Sequence, residues 1–346
     1  MTRLAITASG LITSGGFSTA ASLAAMRAGI RTCKRCNIWD AESGTYLAAG
    51  KVELPQWWTG LGKLADLSAV AIHECFAAAP ALRPADVPIL LGVASPDRPY
   101  RIPGLDAQLL SQVAHRLSLP MHAASQLVPR GHASLGAGIY LAHEMISAGT
   151  AKAVIVAAVD SLLQDELTDY YLAERRLLTP LNSNGFSVGE AGSAVLIEAA
   201  GAGHRHGLEV LEVLGMGVAH EEASIRSDKP LRAEGLTKAI RQALAEAGLT
   251  IQQIDYRLSD LNGEHYKFKE MALAMGRFAR TPTPRPMELW HPVECIGDIG
   301  SAIGPLLASV ALDAAQHDYA VGPTVLCTLG DDDGHRVALV LRCQHP

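Results

Sequence analysis

The chain has 346 residues, of which 49% are apolar and 18% charged, and a formal net charge of −6. Such a chain can bury about three quarters of its unfolded surface, which excludes a disordered polymer and implies a sizeable core. No basic run follows a phosphate backbone and no apolar stretch suits a bilayer span or a signal peptide, so the reading is a cytoplasmic protein that binds neither nucleic acid nor membrane.

In chain order, Leu4–Thr13 (LAITASGLIT) reads as a strand and Ser18–Gly29 (STAASLAAMRAG) as the helix after it. The six cysteines are scattered, as in a reduced protein, and Cys33-x-x-Cys36 lacks the second pair that a zinc site needs. Adjacent Trp57 and Trp58 cannot both enter the core from one element, so one is free to anchor a partner, unless a loop tucks both in. Ser125–Gly131 (SQLVPRG) reads as a strand ending at a proline, which suits an edge. The glycine-rich helix Gly131–Gly149 follows, then the continuously apolar strand Thr150–Ser161, which fits a sheet covered on both faces. Gly185–Ala200 reads as two short strands around a glycine turn.

The grammar then repeats. Leu208–Ala219 and Leu236–Leu249 echo the opening strand and helix. Gly297–Gln316 reads as a second glycine-rich helix, and Pro323–Gly330 and His335–Cys343 as closing strands around Asp331-Asp332-Asp333-Gly334, expected as an exposed turn. This internal duplication implies α/β halves at 1–200 and 201–346, joined at Gly201–Gly207, with helices between and outside two sheets.

These segments resemble the thiolase superfamily, and within it the β-ketoacyl synthases. Gly185-Phe186-x-x-Gly189-Glu190-Ala191 is similar to the family's Gly-Phe-x-x-Gly-Glu-Gly, and Gly297-Asp298-Ile299-Gly300-Ser301-Ala302-Ile303-Gly304 to its Gly-His-x-x-Gly-Ala-Ala-Gly. The resemblance covers nearly the whole chain and implies a thiolase fold, with duplicated βαβαβαββ halves in a five-layer αβαβα sandwich.

A condensing enzyme of that family needs a thiolate at a helix start to carry the acyl group, and imidazoles or an amide to stabilise the enolate. Here the thiol position falls on His132 or, in the neighbouring register, Ala133; Ser134 is the other candidate nucleophile, read otherwise as a helix cap. Asn262 matches the first histidine and can donate to an oxyanion but cannot shuttle protons. His265, three residues on, reads as a solvated helix start. Asp298 stands for the second histidine, where negative charge opposes decarboxylation, and Val293-Glu294 lies where the lysine belongs. His132, Asp298 and Glu294 are a conceivable metal set without a spacing signature; no metal and no cofactor are expected.

The resemblance therefore implies a catalytically degenerate synthase-like protein acting as scaffold or adaptor, as in chain-length-factor subunits or the thiolase-like proteins of type VI secretion effector loading. An acyltransferase or acyl hydrolase using Ser134 or His132 is the alternative. A homodimer or heterodimer through the edge strand near Ser125–Val128 is expected, with a secreted effector or an active synthase as mate.

Overall fold

A computed structural model describes residues 3–201, 209–279 and 287–344. The first half runs β1 (Leu4–Ile12), α1 (Thr19–Arg27), β2 (Lys34–Asp40), β3 (Thr45–Ala49), α2 (Gly60–Ala78), β4 (Ile89–Val93), α3 (Leu105–Leu117), β5 (Gln126–Pro129), α4 (Ser134–Ser147), β6 (Ala153–Ser161), α5 (Asp165–Ala173) and β7 (Glu190–Ala199). The second runs β8 (Val210–His220), α6 (Glu234–Ala247), β9 (Tyr256–Ser259), α7 (His265–Gly276), β10 (Glu288–Trp290), α8 (Val293–Ile296), α9 (Ile303–Gln316), β11 (Thr324–Gly330) and β12 (His335–Gln344).

Apart from the β2–β3 hairpin, the strands lie in the order β10-β9-β11-β12-β8-β1-β7-β6-β4-β5. Taken separately, the five strands of each half follow one rule: third, second, fourth, fifth, first. The sense of pairing repeats as well. β4 is parallel to β5 and β6 while β7 is antiparallel to β6 and β1; β9 is parallel to β10 and β11 while β12 is antiparallel to β11 and β8. The halves meet where Leu4–Ile6 of β1 faces Leu211–Val213 of β8.

Helix composition decides the layers. Every residue of α9 from Ile303 to Ala315 is buried, as a helix apolar all round must be. With the glycine-rich α4 it forms the middle layer, inside the cluster that includes Leu135, Ile139, Leu306, Leu307 and Val337. The outer helices are amphipathic: α2 and α3 cover the strands of the first half through Leu64, Leu67, Ile72 and Leu109, and α6 and α7 cover those of the second half through Ile240, Leu244 and Met271. Both faces of β6 are thereby covered, and all nine of its residues are buried. The result is the five-layer αβαβα arrangement.

Gly185–Ala200 differs from expectation. It holds one ten-residue strand, β7, because the residues before it bond elsewhere. Val188 accepts from Gly50 N at 2.8 Å, Gly189 donates to Asp298 O at 2.7 Å, and Ser187 O accepts from Asp298 N at 2.7 Å. Those last two bonds fix the Asp298 backbone. The joint read at Gly201–Gly207 falls, after Gly201, outside the described residues.

Candidate functional site

Each middle-layer helix is entered through a 3-10 turn, Gly131–Ala133 before α4 and Gly300–Ala302 before α9. The leading glycines have φ of +51° and +53°, a left-handed backbone that side chains resist. A Cβ on Gly131 would sit 1.7 Å from Asp331 Oδ2, and one on Gly300 2.2 Å from Asp160 Oδ2. The two glycines let a carboxylate close on each turn.

His132 occupies the first turn, wedged between two acids. Its Nε2 lies 3.2 Å from Asp298 Oδ1 and its Nδ1 3.4 Å from Asp331 Oδ2, while its backbone N–H donates to Asp331 Oδ2 at 2.8 Å. Burial disfavours a charged ring here and Lys267 repels it, but Asp298 and Asp331 outweigh both and lift its pKa to about 10. The ring is therefore an imidazolium at neutral pH. Despite burial, it holds both carboxyls well below the usual carboxylate range.

Asn262 donates through Nδ2 to Asp298 Oδ2 at 2.7 Å and to Glu264 Oε2 at 3.1 Å. Its amide is committed to these two acids. Glu264 in turn receives Arg176 Nε and Nη2 at 2.7 and 2.9 Å, and Arg176 also grips Asp332, with Nη2 3.2 Å from Oδ1. Lys267 donates to Asp260 Oδ2 at 2.9 Å. Asp331–Asp333 thus form a turn between β11 and β12, but one turned inward: Asp331 is 9% exposed, and Asp333 Oδ2 accepts from Ser95 Oγ at 3.2 Å. The expectation of an exposed turn fails because Arg176 and His132, far away in sequence, supply the counter-charges that make burial of these acids tolerable.

Ser134, the first residue of α4, is 1% exposed and donates to Val128 O at 3.0 Å, so the hydroxyl ties the helix back to β5. Ala133 is buried and does not line the cavity. His265 is exposed at the start of α7, its N–H bonded to Asn184 Oδ1 at 2.6 Å. Glu294 is exposed on α8, apart from His132 and Asp298, and no cluster of metal-ligand type occurs among the described residues. Cys33 and Cys36 are free, and burial pushes the Cys33 thiol up to about 11.

His132, Asp298, Asp331, Asp332, Arg176, Lys267, Asp160 and Arg98 border a cavity of about 30 Å³. That is room for about one or two water molecules, against the roughly 300 Å³ or more of a small-molecule pocket. Sequence reasoning did not single out Arg98, Asp160, Arg176 or Lys267; "SPDRPYR" reads as a surface loop, and nothing local marks Arg98 as buried. At one end of the ten-stranded order, β5 pairs only with β4 among the described residues, which leaves its other edge free of sheet pairing there. Trp57 is 89% exposed, whereas Trp58 Nε1 donates to Asp66 at 2.6 Å beneath the Arg116 guanidinium.

No protein-family model and no curated protein matches this chain. Solved structures do, over 99% of its length. A structure described as a type II PKS acyl-carrier protein in complex with its ketosynthase bound to the hexaketide matches with a TM-score of 0.80 at 14% identity, over 99% of that chain. The ishigamide ketosynthase/chain length factor matches at 0.79 and 17%, again over 99%, and a β-ketoacyl synthase from Burkholderia phymatum at 0.77 and 16%, also over 99%. The duplicated, five-layered architecture is a thiolase fold. More narrowly, it is the thiolase-like fold of the ketosynthases.

Proposed function

We propose that this chain is a catalytically degenerate β-ketoacyl-synthase-like protein, with halves at 1–200 and 201–346, that acts as a non-catalytic scaffold or accessory subunit. The observation that carries the reading is His132. At the helix start where the resemblance puts a thiol, it presents an imidazole with both nitrogens engaged by carboxylates. An imidazolium has no lone pair with which to attack, and no cysteine borders the cavity to be loaded. Asp298 adds negative charge where a developing enolate needs a donor, and the small cavity leaves no place for an acyl chain.

The same reading assigns a partner. Among the structural neighbours are a ketosynthase with its chain length factor and a ketosynthase with its acyl-carrier protein, and we place this chain in a dimer formed through the free edge near Ser125–Val128. The mate is a second copy, an active synthase or, in type VI secretion effector loading, a secreted effector. The setting is cytoplasmic, without nucleic acid, membrane or cofactor.

Incubation with malonyl- and acyl-thioesters, followed by mass spectrometry, tests the absence of chemistry. The expected result is no loss of carbon dioxide and no acyl adduct. Turnover above buffer, or an adduct on His132 or Ser134, overturns it in favour of an acyltransferase or hydrolase. Co-purification from the native cell tests the scaffold role, and recovery of the chain without any defined partner refutes it.

A further inference from the structure

Arg98 lies beyond the end of β4, with its side chain 9% exposed. A single nitrogen, Nη1, reaches both oxygens of Asp160, at 2.7 and 2.6 Å. Asp160 is itself pinned, accepting from Ser161 N at 3.0 Å, Ser301 N at 2.9 Å and Ser301 Oγ at 3.0 Å. Arg98 is thereby fixed by one corner. Its remaining side edge, Nε and Nη2, is buried and meets no hydrogen-bond acceptor among the described residues.

That edge has a specific chemistry. Nε–H and Nη2–H point in parallel and match the two oxygens of a carboxylate, the fork geometry that distinguishes arginine from lysine. A native fold rarely leaves buried charged donors without acceptors, and an unmet pair marks something that belongs there. Arg98 borders the cavity of about 30 Å³, together with Ser95, Tyr171 and the exposed Arg226. The acids on the same wall are already engaged: Asp298 and Asp331 by His132, Asp332 by Arg176. Of the residues that line the cavity, Arg98 is the one whose buried donors lack an acceptor among the described residues.

We infer that this cavity is a receptor for one small monocarboxylate, of formate or acetate size, gripped by Nε and Nη2 of Arg98. The cavity volume sets the upper limit on the ligand, and the fork sets its preference for a planar oxyanion over a spherical halide. The inference is independent of the non-catalytic reading, since a receptor of this kind is compatible with either outcome at His132.

The test uses the full chain freed of small carboxylates, titrated with sodium formate at constant ionic strength balanced by sodium chloride. The thermal midpoint and the line width of ¹³C-formate are followed together. A saturable rise in midpoint and saturable broadening, with one formate per chain and displacement by acetate, are expected. Arg98→Lys keeps a positive charge beside Asp160 but has no fork, and should bind about tenfold more weakly or worse. Should that variant fail to fold, selectivity of the unaltered chain decides: formate and acetate bind, while hexanoate does not. No saturable effect of formate beyond chloride, equal binding of hexanoate, or unchanged affinity in Arg98→Lys overturns the proposal.

Discussion

Replacing His132 by glutamine removes the cation held between Asp298 and Asp331 while preserving a side chain of similar reach. Both acids are buried, at 4% and 9% exposure. Removing one partner of a buried ion pair costs about 3–5 kcal/mol, and this ring serves two, although Asn262 and the Gly300 N–H still donate to Asp298 and the Asp333 N–H to Asp331. A loss of about 3–5 kcal/mol at pH 7 is therefore expected in urea unfolding, with an unchanged m-value. The pH dependence is the sharper criterion. The ring's pKa rises from 6.5 to about 10 on folding, so its contribution is complete below pH 6.5 and is lost as pH rises through 10. Across that window the native state holds a proton that the unfolded chain has released, and stability falls by about 1.4 kcal/mol per pH unit from this group. Other groups titrate there too, so the quantity to measure is the difference between native and His132→Gln stability at pH 7, 8.5 and 9.5. The difference should shrink as pH rises. Parallel curves would mean that the folded ring is neutral, and the ionic account of the site would fail.

Three further outcomes follow from the same geometry. Arg176→Met leaves Glu264 and Asp332 buried without their guanidinium and should cost about 3–5 kcal/mol in chemical unfolding; a loss below about 1 kcal/mol would show that water reaches those acids. Gly131→Ala forces a side chain into a left-handed backbone and against the Asp331 carboxylate, so a loss of about 1–3 kcal/mol is expected from the thermal midpoint. Trp57→Ser should change stability by less than about 0.5 kcal/mol, because the ring is almost wholly exposed, while reducing recovery of the native partner in a pull-down; a marked loss of stability instead would assign Trp57 a packing role.

The architecture was readable from the chain because its signals are local. The apolar run of β6 and the glycine-rich starts of α4 and α9 are each visible within about twenty residues, and the echo of one half in the other is a repeat of such local patterns. That the helix start at His132 or Ala133 is a place of interest was readable for the same reason, with the register between the two left open. What surrounds His132 was not. Asp331 and Asp332 look like any acidic turn, and only their partners, 199 and 156 residues earlier in the chain, turn them inward. Ser134 looked like a cap or nucleophile; its hydroxyl instead satisfies a carbonyl left over by the adjoining strand, a need created by packing α4 onto β5. Arg98 carried no signal at all, since a Pro-rich loop with three charges reads as solvated unless Asp160 is known to wait beneath it.

The ion pairs that His132 and Arg176 make with acids all cross between the two parts of the chain. His132 and Arg176 come from before residue 200, whereas Glu264, Asp298, Asp331 and Asp332 come from after residue 209. A polypeptide ending at 200 would leave His132 and Arg176 without these partners, and one beginning at 209 would hold four carboxylates beside Lys267, which Asp260 already engages. Two copies of either fragment would lack these pairs, but one of each would restore them. Co-expressed as separate pieces, they should assemble as unlike pairs, so the charged site would act as the lock by which one half of the molecule recognises the other.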